Sequence, residues 1–370
     1  MPNMSIHSPC FVPYRMRGGT HGFGIKKGHA NMMKVLLVGG TGCISCEIAA
    51  LAAQRDDIEL YLLNRGRRTT FIPPGAKVIQ ADINKPDEVR QLTKGMTFDV
   101  VADFLSYGVA QLERTLGIFA GKFNHFLFIS STAVYRQRPG GEVITEAGTM
   151  AGNTLWSYGR NKILCEMRLE KERQEQGLNY TVVRPSFTYN NLRVFHPVGP
   201  GHQEYSWTIV NRILQGKPLL MHDDGMATCT LTYAADFAKA FVGLMNNPAA
   251  FGEAFHITSG EHYTYNRVAE MIGEAVGVET KLCHIPAHIL GFELGGDFGE
   301  KLCTFAHNGI FDSRKVKKLV PEFICTTSLA QGLRKCIDFY NAHPEFKVVH
   351  PDWDPIMDRL VETYGDMYPR

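Results

Sequence analysis

A tyrosine stands four residues ahead of a lysine in SYGRNKILCE, residues 157–166. On a helix, Tyr158 and Lys162 would share one face, a single turn apart. A phenol ionises near pH 10, so a tyrosine that takes up a proton at neutral pH needs help. The Lys162 ammonium would favour the phenolate and could also hold the ribose of a dinucleotide. A hydroxyl should lie between tyrosine and substrate to orient the reacting oxygen. FISSTAVY (128–135) offers Ser130, Ser131 and Thr132 at the end of the preceding strand. The bland alternative makes Tyr158 a core aromatic above a solvated lysine. The spacing alone does not decide between them.

A second stretch adds weight. VGGTGCIS (38–45) joins an apolar run to a helical pattern. Glycines at such a junction allow a tight turn and close approach of the backbone to a pyrophosphate, which then faces a helix N-terminus. Gly39 and Gly42 sit at the required places, and Ser45 stands where a third small residue is expected. Cys43 and Cys46 form a Cys-x-x-Cys here, but no second ligand pair at matching spacing suggests zinc. No metal is expected. The next strand ends LLNRGRR. An acid at this point would bind a ribose 2′-hydroxyl, whereas arginine suits a 2′-phosphate. Asn64 and Arg65 therefore read as cofactor contacts that lean toward NADP over NAD. Asp82 and Ile83, after the third strand, are placed to flank an adenine. Asp103, closing the fourth strand, is placed on the cofactor side with them.

Elements that could position these residues follow from the pattern. Strands read at 34–40, 58–64, 77–82, 98–104, 125–130 and 179–185, with helices at 42–55, 86–95, 109–120 and 157–176 between them. That alternation predicts an α/β fold, a doubly wound parallel sheet of Rossmann type spanning 32–185. From 186 to 370 the rhythm shortens into a smaller α/β lobe, with helices at 206–215, 235–246, 265–276 and 328–341. The lobe should close over the C-terminal edge of the sheet, where such sheets bind ligands. HPVGPGHQEYSW (196–207) would border the site, making His196, Tyr205 and Trp207 candidate substrate contacts, the alternative being a surface loop with satisfied polar groups. HPDWDPIMDRLVETY (350–364) reads as a capped amphipathic helix.

With 370 residues and a net charge of +2, the composition is that of an ordinary globular protein. No basic face predicts nucleic acid, and no apolar run reaches the ~20 residues that span a bilayer. Nine irregularly spaced cysteines read as reduced thiols in a cytoplasmic protein. Residues 1–31 lack hydrophobic periodicity and are expected to be a disordered extension, or to arise from a start upstream of Met32 or Met33.

GGTGCIS, SSTAVY, YGRNK, the RP of VVRP and a late DSRKV together resemble the extended short-chain dehydrogenases/reductases of the NAD(P)-dependent epimerase/dehydratase type, over about residues 34–345. The resemblance implies Ser131 as the catalytic hydroxyl, with Thr132 its substitute and a candidate substrate contact. It makes Tyr158 the general base and acid, and Lys162 its partner. It assigns the pyrophosphate to Gly39, Gly42 and the backbone from Thr41 through Cys43 to Ile44. The implied chemistry is hydride exchange between a carbinol and a nicotinamide, here on a sugar or sugar-like substrate, as an epimerase or as a net reductase.

Departures narrow this expectation. Dehydratases of the group carry Asp-Glu after the hydroxyl residue, and decarboxylases carry a Glu. Thr132 and Ala133 occupy those places and cannot perform acid–base elimination. Members that bind nucleotide diphosphates carry an Asn where Phe187 stands, and an Arg where Cys229 stands. Phe187 is thus a candidate substrate contact without the diphosphate donor. Arg193, His196, His202 or Arg212 could replace the missing charge. A homodimer through helices 108–120 and 157–176 is implied by resemblance alone. A dinucleotide- or RNA-binding regulator is the reading from another class, and the Ser131/Tyr158/Lys162 set argues against it.

Overall fold

The fold was obtained as a computed structural model, which describes residues 32–135, 141–150 and 156–367. The expectation for residues 1–31 lies outside them.

Six strands alternate with helices in the first half: β1 (Met33–Val38), β2 (Ile58–Asn64), β3 (Lys77–Gln80), β4 (Phe98–Asp103), β5 (Phe123–Ile129) and β6 (Tyr180–Arg184). Between them run α1 (Ser45–Ala53), α2 (Pro86–Leu92), α3 (Val109–Phe119) and α4 (Ser157–Gln176). Short strands follow: β7 (Phe187–Tyr189), β8 (Leu219–His222), β9 (Thr228–Tyr233), β10 (Glu253–His256), β11 (His262–Thr264) and β12 (Leu282–Ile285). Their helices are α5 (Trp207–Leu214), α6 (Ala234–Leu244), α7 (Tyr265–Val276) and α8 (Ala287–Leu294). Last come α9 (Phe298–Phe305), α10 (Arg314–Leu319), α11 (Leu329–Ala342) and α12 (Trp353–Tyr364).

The main sheet has seven strands in the order β10-β6-β5-β4-β1-β2-β3, every pair parallel. Val35, Leu36, Leu37 and Val38 of β1 are all buried, as a strand covered on both faces requires. One face is covered by α1, α6 and α10, through Ile48, Phe237, Phe241 and Val316. The other is covered by α2, α3 and α4, through Val89, Leu112, Cys165 and Leu169. The chain after residue 186 is not confined to the lobe. It returns to add α6, β10 and α10 to the sheet, because the apolar edge beside β6 needs a partner strand.

Strand order reverses between β1 and β4, so their C-terminal ends open a crevice. Over it sits the lobe, a separate core around β7-β9-β11 and β8-β12 with α5, α7, α8, α9, α11 and α12. The C-terminal helix α12 is amphipathic, burying Met357 and Leu360, but no side chain caps it. Asp354 and Asp358 of α12 pair with Arg212, which is fully buried and donates Nε–H to the Pro218 carbonyl at 2.7 Å. Arg212 is thereby a tie between helices and no anion anchor for the site.

Candidate active site

The turn after β1 is stapled by one side chain. The Gly42 N–H donates to Ser45 Oγ at 2.9 Å, and that hydroxyl donates to the Gly39 carbonyl at 2.6 Å. Gly39 has φ +91° and faces Leu105, whose side chain a Cβ would meet at 2.7 Å. Both facts demand glycine. Because Ser45 takes the Gly42 amide, the free donors are the N–H groups of Cys43 and Ile44, which find no acceptor among the described residues and line the cavity. Thr41 belongs to the turn but not to the cavity wall. At the end of β2, Asn64 Oδ1 accepts the Gly66 N–H while its Nδ2 is buried without a partner. An open amide pair at a helix start and an orphaned donor one strand away fit a dinucleotide.

Arg65 is exposed beyond Asn64, with the Asp82 carboxylate in electrostatic range. Asn84 donates its backbone N–H to Asp82 Oδ1 at 2.9 Å, which with Arg65 holds that carboxyl below the usual range. Ile83 is buried beneath it. Asp103 is a correction. Its carboxylate is buried and accepts from the Leu105 and Ser106 N–H groups at 2.8 and 3.1 Å, and from Ser106 Oγ at 2.5 Å. It shapes the 104–107 turn rather than touching a ligand.

Ser131, Tyr158 and Lys162 meet in one cavity of about 610 Å³ that also reaches Gly39 and Gly42. Ser131 leads a short 3-10 turn, Thr132–Val134, and its Oγ accepts the Ala133 N–H at 3.1 Å. Its hydroxyl is close enough to the Tyr158 phenol to act on its ionisation. Burial pushes that phenol up to about 12, against the lowering effects of Ser131 and Arg193. Lys162 is 3% exposed and donates to the carbonyls of Ser106 at 2.7 Å and Ile129 at 2.6 Å. Its ammonium lies 5.8 Å from the Tyr158 ring centroid. Burial lowers it to about 8. Ser131 and Arg193 act on the phenol beside the expected Lys162, whose ammonium is steered by two carbonyls.

Helix α4 presents Tyr158 because Gly159 lets it sit against the Ser131 turn. A Cβ at Gly159 would meet the Ala133 carbonyl oxygen at 2.6 Å, a backbone atom that cannot rotate aside. We expect Gly159→Ala to cost about 1–3 kcal/mol in denaturant unfolding, with turnover falling at least about tenfold through kcat. Unchanged kcat would show that the spacing does not matter. Around the phenol, Trp156 lies 4.9 Å and Tyr107 6.4 Å away between ring centroids. No side chain of α4 caps its own start. Glu300 of α9 does so instead, accepting the Ser157 N–H at 2.9 Å, and Asp297 accepts the Trp156 indole N–H at 3.1 Å.

The substrate side comes from the lobe. Phe187 stacks on Phe195 at 4.1 Å and meets Phe305 edge-on at 5.0 Å, an apolar wall where the diphosphate donor is missing. Cys229 is buried in the same wall, its thiol donating to the Tyr263 carbonyl. His196, His202, Thr132 and Arg193 also line the cavity. Tyr205 is a correction: it turns away and packs on His350 at 4.6 Å. Lys301 was not foreseeable, since helix α9 follows Tyr158 by more than a hundred residues and carries no motif.

Residues 35–258 match the NAD dependent epimerase/dehydratase family. The chain is 24% identical over 327 residues to the chloroplast stem-loop binding protein of 41 kDa b of Arabidopsis thaliana, covering 83% of this chain and 78% of that one. It is 24% identical over 276 residues to a UDP-glucose 4-epimerase of Corynebacterium glutamicum, covering 66% of this chain and 81% of that one. The structure of UDP-glucuronic acid 4-epimerase from Bacillus cereus, in complex with UDP-glucuronic acid and NAD, superposes with a TM-score of 0.67 at 17% identity, covering 84% of this chain and 99% of that one.

Proposed function

The chain belongs to the NAD dependent epimerase/dehydratase family, and on that footing we propose that it epimerises a secondary alcohol of a sugar or sugar-like substrate through a transient ketone. The observation that carries this reading is that Ser131, Tyr158 and Lys162 line one cavity with the glycine turn. Tyr158 takes the carbinol proton and later returns it. Ser131 fixes the substrate oxygen, and Lys162 would hold a ribose hydroxyl of the bound dinucleotide. The dinucleotide, when bound, accepts the hydride and gives it back. Cys43, Ile44 and Asn64 supply its donors, and exposed Arg65 favours NADP.

Elimination of water is disfavoured. Among the described residues Asp297 is the one carboxylate lining the cavity, and the Trp156 indole engages it. A net reductase uses the same three residues and is the second reading. Native mass spectrometry of freshly purified protein, followed by identification of released dinucleotide, separates the two. Tightly retained NAD or NADP is expected, since internal recycling needs no exchange. An empty protein that binds NADPH at micromolar concentration would establish the reductase instead. Failure to bind either dinucleotide would end both readings.

A further inference from the structure

On the lobe side of the cavity, three nitrogen-bearing side chains converge that the redox step does not use. His196 is the first. The Val198 N–H donates to its Nδ1 at 3.3 Å, so that nitrogen carries the lone pair. Burial drives His196 down to about 3, helped by the charges of His222 and Lys301, so the ring is neutral and its proton sits on Nε2. That Nε2–H is buried and has no acceptor among the described residues. Leaving such a donor unmet costs about 1–3 kcal/mol. A structure tolerates it where a ligand completes the bond.

Lys301 is the second. Its ammonium rests 3.9 Å from the Phe298 ring centroid and 5.9 Å from that of Phe305. It forms no ion pair among the described residues. Burial lowers it to about 8, with Asp297 opposing and the Arg193 charge adding to the fall. Arg193 is the third. Its side chain lines the same cavity and acts electrostatically on Cys43, Tyr158 and Lys301. Two cations, Arg193 and Lys301, thus line the cavity together with the neutral His196 ring. Of the other ionisable neighbours, Asp297 is bound by Trp156, and His222 Nε2 faces the Phe305 carbonyl at 3.3 Å. His202 and His307 complete the lining. Two cations that repel each other beside an unmet neutral donor are relieved together by one anion.

We propose that the substrate is itself an anion, carrying a carboxylate or phosphate ester close to the reacting carbinol, and that Arg193, Lys301 and the His196 Nε2–H hold that group. The position of the carbinol rests on the reading of Tyr158 above, while the anion site does not.

The test titrates the protein with inorganic phosphate and with acetate, by calorimetry, in saturating NADP so that the glycine turn is filled. Saturable millimolar binding of at least one anion is expected, weakened tenfold or more in Lys301→Met and in Arg193→Met, and retained in Lys301→Arg. Binding of phosphate alone would assign a phosphate ester, and of acetate alone a carboxylate. Binding of both would mean that charge alone is recognised. Absence of saturable binding by either, or binding unchanged in Lys301→Met, overturns the proposal. If the protein binds no NADP, the redox reading fails, yet the same variants in the same titration still decide the anion site.

Discussion

Replacing Tyr158 by phenylalanine will leave a folded protein that binds dinucleotide with unchanged affinity, and will lower turnover by about 10²–10⁴-fold. The ring is held by Trp156 and Tyr107, contacts that phenylalanine keeps. Only the hydroxyl is lost, and with it the acceptor and donor of the carbinol proton. The loss should fall on kcat rather than KM, because the phenol changes its bonding only as the proton moves. Steady-state kinetics on the substrate that reduces the bound dinucleotide would check this, with intrinsic fluorescence quenching to follow cofactor affinity. A variant that keeps more than a tenth of the native kcat would return Tyr158 to the role of a packing aromatic.

The second large effect lies behind the site. Arg184 and Glu166 form a buried ion pair at 2.5 Å, and the Ser130 hydroxyl donates to the same carboxylate. Arg184 also donates to the Tyr135 hydroxyl and the Glu146 carbonyl, and Tyr135 reaches His256 Nε2 at 2.7 Å. This network braces β5, β6 and β10 beneath the turn that carries Ser131. Glu166→Ala would strand a buried guanidinium, at a cost of about 3–5 kcal/mol. Glu166→Leu combined with Arg184→Met removes both charges and should recover most of that loss. Urea unfolding of the single and double variants is the measurement. Equal destabilisation of the two would show that the charges contribute through something other than their pairing.

Much of this architecture could be read from the sequence because its signals are local. An apolar run closed by glycines marked β1, further apolar runs marked β2 and β4 to within a few residues, and the Pro-Asp-Glu start marked α2. Helices α4 and α7 fall at 157–176 and 265–276, as the pattern predicts. The four-residue β10 was hidden: EAFH has no length to reveal a period, and only the open edge beside β6 makes it a strand. The site divides in the same way. Gly39, Ser131, Tyr158 and Lys162 sit inside motifs where each residue explains its neighbour. Asp103 looked like a ligand contact because strand ends often supply them, but three donors of its own turn had already claimed it. Tyr205 stood in the right loop and on its wrong side, a distinction set by His350 from far along the chain. Lys301 depends wholly on tertiary placement, and so does the position of Arg193 in the cavity wall.

The Glu300 carboxylate that closes the start of α4 belongs to the same helix as Lys301, one residue away. On the proposed roles of Lys301 and Tyr158, recognition and proton transfer would share a lever. A displacement of Lys301 would shift its neighbour Glu300, and with it the acceptor of the Ser157 amide beside Tyr158. A poorly matched compound would occupy the cavity yet leave the phenol out of register, so discrimination between substrates should be paid out in rate more than in occupancy.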